Sequence, residues 1–329
     1  MNIVNMTNNS THVLACAIIA LMSTGGAMQA ALAHHITITP AITAQPGGDF
    51  ADADALLTAL ETADRDIQRL AASVRYVRTF DLAGDRQIRD GFLYFIADPP
   101  PDPTIFPIPN QAGTNRQRKF VIDFTRLTVG RRQEDTRQTF IFDGQWLIEK
   151  QYEAKHAIKR QVAPPDAPFD PLRIGEGPMP IPIGQPKREI LARYEARLVP
   201  ADDGLHLDPA ESWTREEQDE ASALRTFAAK SWQLFLTPRP DRADEDDFTQ
   251  IRLWYQRDAD GRLLPRMVRT INRAGDVAVV QLRNPKVNSA AKIPADALST
   301  ELPPGWTGDV MHWRGDEIKE PEGEANRQR

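Results

Sequence analysis

Few residues of this chain have types and spacings that chemistry could use. His206-Leu207-Asp208 places an imidazole and a carboxylate on one face of an extended segment, as acid–base work would require. A surface loop accounts for the same residues and is the preferred reading. His34-His35 could chelate a metal weakly, but the pair falls where a loose, solvated chain end is expected. His156 and His312 are scattered. The carboxylate pair Asp246-Asp247 closes the acidic run DRADEDD and reads as a solvated charge cluster. No H-E-x-x-H, C-x-x-C, G-x-S-x-G, P-loop or G-x-G-x-x-G occurs. No catalytic residue, metal or cofactor is therefore assigned, and an enzyme relying on His206 and Asp208 is the weakest of the functional readings.

Composition points the same way. The 329 residues are 41% hydrophobic and 26% charged, as in soluble globular proteins. A net charge of −6 with no basic stripe argues against nucleic acid as a partner. Residues 1–33 read as a signal peptide: Val13 to Met22 is an apolar core, and Ala31-Leu32-Ala33 is an A-x-A cleavage site that predicts a mature start at His34. That core falls short of the roughly 20 residues a membrane span needs. The single cysteine, Cys16, follows Val13-Leu14-Ala15 as in a lipobox. A lipidated cysteine comes after its apolar core, whereas most of this core comes after Cys16, so cleavage after Ala33 is preferred. The exported, periplasmic chain would then hold no disulfide and depend on its core.

Residues 34–50 are expected to be a flexible leader, 51–313 one domain, and 314–329 a charged tail. A helix is expected from about Ala53 to Ala72, capped by Asp52 or Asp54, with Leu56, Leu57, Leu60, Ala63, Ile67 and Leu70 on one face. The period then changes to that of strands: Val74 to Phe80, Gly91 to Ile96, and Phe120 to Phe124. Between the last two lies a proline-rich loop, 98–115, which reads as a stiff connection in preference to a polyproline ligand. Thr139 to Phe142 meets Asp143-Gly144, a hairpin signal, and Gln145 to Glu149 returns. Lys150 to Val162 forms a further strand, and 163–186 is loop. Pro186 opens a second helix with Ile190, Leu191, Tyr194 and Leu198 on its buried face. Residues 203–230 read as an acidic helical insertion, with Thr214-Arg215-Glu216-Glu217 as a capping box. A meander follows: Trp232 to Leu236, Phe248 to Gln256, Leu263 to Asn272 and Val277 to Leu282. Strands joined by tight turns pair antiparallel, and helices packed on such a sheet make an α+β fold.

Several strands carry apolar residues on both faces, GFLYFI and TFIFDGQWLIE above all. Such a sheet needs cover on both sides or a ligand. The order of these segments resembles the periplasmic outer-membrane lipoprotein carriers, the LolA-like family, from about Asp54 to Gly308. The resemblance rests on AASVRYVRTF after the opening helix, GFLYF leading to proline, RKFVIDF, TFIFDGQWLIE, WQLFLTPRP, the final meander with its Asp-x-x-Gly turn, and IPADALSTELPPGWTGDV. It implies a strongly curved antiparallel sheet, an incomplete barrel, closed by lid helices over a cavity for acyl chains of lipids or lipoproteins. Donor and acceptor membrane proteins would be the partners. The implied cavity residues are Leu56, Leu60, Ile67 and Leu70 from the helix, with Phe92, Tyr94, Phe120, Ile122, Phe124, Phe140, Phe142, Trp146 and Leu253 from the strands. The chain departs from the family at Ala97-Asp98, where the family has a basic residue before its proline turn, so no gating arginine is assigned. The alternative is the same fold used as a periplasmic sensor or envelope scaffold binding a partner protein.

Overall fold

The first helix is shorter than its apolar spacing suggests. In a computed structural model of the chain, α1 spans Ala53–Leu60, and Asp52 caps it by accepting a hydrogen bond from the Ala55 amide at 2.8 Å. Turns follow, and β1 (Arg69–Thr79) begins where a helix is expected to continue. The Asn288 side chain accepts from the Gln68 and Arg69 amides and donates to the Asp66 carbonyl, so this stretch finds its partners outside any helix. Ile67 and Leu70 are therefore not on the helix. Both are fully buried, Ile67 in the connection and Leu70 at the start of β1.

The structure describes residues 49–82, 84–99, 117–130, 132–162, 174, 184–205, 215–244 and 246–313. The expected signal peptide, most of the leader, nearly all of the proline-rich loop, His206, Asp208, Thr214 and the charged tail lie outside them. So does most of the loop expected at 163–186.

The strands after β1 are β2 (Arg86–Ala97), β3 (Arg118–Val129), β4 (Arg132–Glu134), β5 (Gln138–Phe142), β6 (Trp146–Gln151) and β7 (His156–Gln161). Then α2 (Lys187–Arg193) runs directly into β8 (Tyr194–Val199). Here too the expected helix is too long. Tyr194 and Leu198 lie on a strand, where a spacing of four also keeps them on one face. After α3 (Arg215–Ala228) come β9 (Trp232–Pro238), β10 (Phe248–Arg257), β11 (Leu263–Asn272), β12 (Val277–Val287) and the short β13 (Thr307–Met311).

These make one sheet of thirteen strands in the order β13-β7-β6-β5-β3-β2-β1-β12-β11-β10-β9-β8, with β4 beside β3. Among the described residues its end strands, β13 and β8, do not pair with each other, so the sheet is open. The pairing is antiparallel except between β13 and β7, a parallel join the sequence pattern does not announce. The fold is α+β. Gly91 marks a register shift between β2 and β3, and a Cβ there would overlap the Asp123 carbonyl and sit 2.7 Å from the Phe124 Cα. Only glycine lets the two strands approach so closely.

Side chains at directly paired positions share a face. One face, called inner here, carries Phe50, whose ring packs edge-on against Trp232 at 5.2 Å, and the connection after α1, where Asp64 pairs with Arg118 of β3. The other, outer face is covered at two places. Over β10, Gln256 donates to the Phe227 carbonyl at the end of α3, and Trp254 donates to the Ala201 carbonyl at 2.7 Å. Over β3, β5 and β6, Val121, Ile141 and Ile148 form a cluster with Tyr94, Trp146, Ala297 and Leu298. Asp246 is not solvated: it is buried, accepts from the Tyr194 hydroxyl and the Phe248 amide, and pairs with Arg193. It ties the start of β10 to β8.

Candidate ligand-binding interior

The register builds the inner wall row by row. Leu70, Phe95, Phe120 and Phe142 are paired in sequence across β1, β2, β3 and β5. The next row is Ala72, Leu93, Ile122 and Phe140. Phe120 stacks on Phe142 at 5.7 Å, and Phe124 meets Phe140 edge-on at 6.3 Å. In the opposite direction, Tyr76, Val280, Val268, Leu253, Leu234 and Leu198 pair in turn from β1 to β8. The strand alternation that the sequence shows around Leu253 and Tyr255 is what assigns them to this side.

Of the residues expected to line an interior, Leu70, Phe120, Ile122, Phe124, Phe140, Phe142 and Leu253 share this wall. Leu56 and Leu60 are buried on α1, and Ile67 is buried just after it. Three others are on the outer face. Phe92 is 44% exposed there, stacked on Tyr94. Trp146 packs beneath Lys159 and against His312. The strand GFLYFI has large residues at nearly every position, so its apolar pattern alone could not select a face.

Side-chain bonds hold the cover over the wall. The Lys187 amide donates to Glu61 Oε1 at 2.8 Å, and its ammonium reaches Thr58 and Asp54, joining α2 to α1. After α1, Asp64 accepts from Arg118 of β3 at 2.6 Å, in a pair only 8% and 12% exposed. Gly184, with φ +70°, lies so close to the Asp64 carboxylate that any side chain would collide with it. No local pattern hints at this pair, because its members are 54 residues apart.

Toward the other end of the strands the inner face turns polar. The apolar row containing Tyr76 ends at its β2 neighbour Arg89, which is 8% exposed. The Arg89 Nε has no hydrogen-bond partner among the described residues. Burial lowers its pKa, opposed by Tyr76, Glu149 and Glu153. Glu149 accepts from Gln138 at 2.8 Å and Gln151 at 2.9 Å, and pairs with Arg160 at 3.5 Å. Among the described residues the buried Gln138 amide oxygen also has no partner, nor does the Tyr255 hydroxyl, whose pKa burial pushes up. Among the described residues no group of three or more His, Cys, Asp or Glu is placed to hold a metal, and no helix is long and apolar enough to cross a membrane.

By sequence, no protein-family model and no curated protein matches the chain. By structure it is similar to a LolA superfamily protein of Nitrosomonas europaea, at 11% identity and a TM-score of 0.30, over 76% of this chain and 98% of that one. It is similar to a DUF1329 family protein of Desulfovibrio piger, at 12% identity and a TM-score of 0.33, over 78% and 98%. A chain of the MucA/MucB complex of Pseudomonas aeruginosa is similar at 18% identity and a TM-score of 0.31, over 76% and 61%.

Proposed function

We propose that this protein is a periplasmic carrier that shields acyl chains between its inner wall and the α1–α2 cover, without bond chemistry. The observation that carries the reading is the continuity of the wall. Aromatic and aliphatic rows run from β5 to β8 and face two short helices, with no second sheet opposite among the described residues. An α-helix of eight residues is about 12 Å long. Strands stand about 4.8 Å apart, so the wall is several times wider than its helical cover.

Each CH₂ group moved from water into such an interior contributes roughly 0.8 kcal/mol, and one long chain on the order of 10 kcal/mol. Cargo held that deeply leaves water-exposed routes too slowly to be useful. Handover would instead run through displacement of α1 and α2 at donor and acceptor membranes. In the empty state the same helices close on the wall, and Leu56, Leu57 and Leu60 fill the space.

Mass spectrometry of organic extracts from the protein, purified from its native envelope without detergent, tests the reading. Stoichiometric lipid or acylated peptide is expected. Lipid-free protein that also refuses an acyl probe would favour a scaffold that binds a partner protein. In parallel, Leu60→Asp places a charge under the cover. It is expected to abolish probe uptake while the sheet keeps its circular dichroism. Loss of the whole fold would make Leu60 plain core.

A further inference from the structure

The polar end of the inner face holds an arginine whose Nε–H finds no acceptor among the described residues, although Tyr76, Glu149 and Glu153 act on its charge. This residue, Arg89, is 8% exposed. Its direct neighbours in the sheet are Tyr76 and Leu127, neither of them an acid. The nearest inner-face carboxylate that is itself buried, Glu149, lies three strands away along the order β2-β3-β5-β6. That carboxylate is already engaged by Gln138, Gln151 and Arg160. A guanidinium cannot shed its charge in a protein, so burying it without a counter-ion is costly. The contrast with the well-bonded Glu149 makes Arg89 the exception to explain.

Its position suggests the explanation. Arg89 stands at the head of the row Tyr76, Val280, Val268, Leu253, Leu234 and Leu198. Along its own strand it precedes Leu93 and then Phe95, the latter six residues or about 20 Å away at the usual strand rise. The residue between, Gly91, adds no side chain to the path. An apolar track therefore starts at a fixed positive charge.

We propose that Arg89 binds the carboxylate of a single-chain acidic amphiphile, a long-chain fatty acid, whose alkyl chain lies along this track. The inference rests on the carrier reading and names the class of cargo. The Nε–H and one Nη–H of a guanidinium form a fork that fits the two oxygens of a carboxylate. A single negative charge matches the one guanidinium at the head of the row. A doubly charged phosphate would also feel the Glu149 carboxylate on the same face. The Gln138 Oε1, buried and without a partner among the described residues, faces the same region and accepts from any hydroxyl or water that accompanies the head group.

The test uses the purified full-length protein and titrates a fluorescent sixteen-carbon fatty acid against its methyl ester and the matching alkyl phosphate. The acid is expected to bind at least tenfold more tightly than the ester. Arg89→Met is expected to remove that preference and leave ester binding within about twofold. Arg89→Lys, which keeps the charge and loses the fork, should fall between them, and it serves if the Met variant fails to fold. Equal affinity for acid and ester, or an unchanged preference in both variants, would overturn the head-group site while leaving the carrier intact. Tighter binding of the alkyl phosphate would overturn the carboxylate assignment. Failure of all three probes would overturn the carrier reading itself.

Discussion

Both faces of the sheet are apolar over β3 and β5, and they are covered by different means. On the outer face, Val121, Ile141 and Ile148 lie beneath Ala297 and Leu298. That segment ends in β13, whose backbone is hydrogen-bonded into the sheet edge. On the inner face, the side of Phe120, Ile122, Phe140 and Phe142, α1, α2 and the connection after α1 are tied down by side chains: Lys187 on Glu61, Arg118 on Asp64, Asn288 on the connection. A cover sewn into the backbone ladder leaves only with the edge of the sheet. A cover held by side-chain bonds can lift while every ladder stays intact. On the proposed carrier reading, one strand would thus serve a permanent core on one side and an openable interior on the other.

The largest expected effect sharpens this contrast directly. Phe142 is fully buried on the inner wall, and its partner in sequence, Ile141, is 2% exposed on the outer face. Phe142→Ala should cost about 4 kcal/mol and Ile141→Ala about 3 kcal/mol in thermal or urea unfolding. Only the first should change the affinity for an acyl probe. Equal loss of uptake in both would mean that the two faces are one cooperative core.

The ion pair beneath the cover comes next. Asp64→Ala removes the buried carboxylate to which Arg118, only 12% exposed, donates, at a cost on the order of 3 kcal/mol. Combining it with Arg118→Met should recover part of the loss, because the two changes act on one ion pair and do not add. Hydrogen exchange should report faster opening of α1 in the single variant, with β3 and β5 protected as before. Uniform acceleration through the sheet would contradict a locally tied cover.

Much of this architecture is legible in the order of residues alone. Alternation in Phe248 to Gln256, the Asp143-Gly144 turn and the meander of the last third predict strands that the structure contains. The α+β class follows from them. The helix ends are not legible, because Ile67, Leu70, Tyr194 and Leu198 fall at spacings that satisfy both a helical and an extended face. Nor is the face of Phe92, Tyr94 and Trp146, since their strands are apolar on both sides. The Asp64–Arg118 pair, the burial of Arg89 and the parallel β13–β7 join depend on contacts remote in sequence, which no local pattern encodes.

The outer cover has its own smaller test. The Lys150 ammonium donates to the Ser299 carbonyl at 2.8 Å and the Glu301 carbonyl at 2.7 Å. Burial holds its pKa below the usual lysine range, with Arg137 adding to the effect. Lys150→Met should cost about 2 kcal/mol and speed proteolytic clipping near Glu301, with no change in probe affinity. A loss of affinity would show that the outer segment helps to form the interior.

The smallest effect is expected at a corner that belongs to neither cover, and it is read by pH. Asp276, in the turn between β11 and β12, accepts from Arg78 at 2.8 Å and from the Asp81 amide at 3.2 Å. Burial pushes its carboxyl up, but the Arg78 hydrogen bond, the Asp81 amide and the charge of Arg78 outweigh it, and the net shift is downward. A carboxylate whose folded pKa is depressed binds its proton more readily in the unfolded chain. Its contribution is therefore complete above the unfolded value, near 3.9, and is lost as pH falls through the lower folded value. Asp276→Asn should cost about 1 kcal/mol at neutral pH and flatten the acid limb of the stability curve. Probe affinity should stay unchanged. A variant as acid-sensitive as the parent would assign the acid limb to other carboxylates. A variant with altered uptake would extend the openable region to this corner, beyond the reach of α1 and α2.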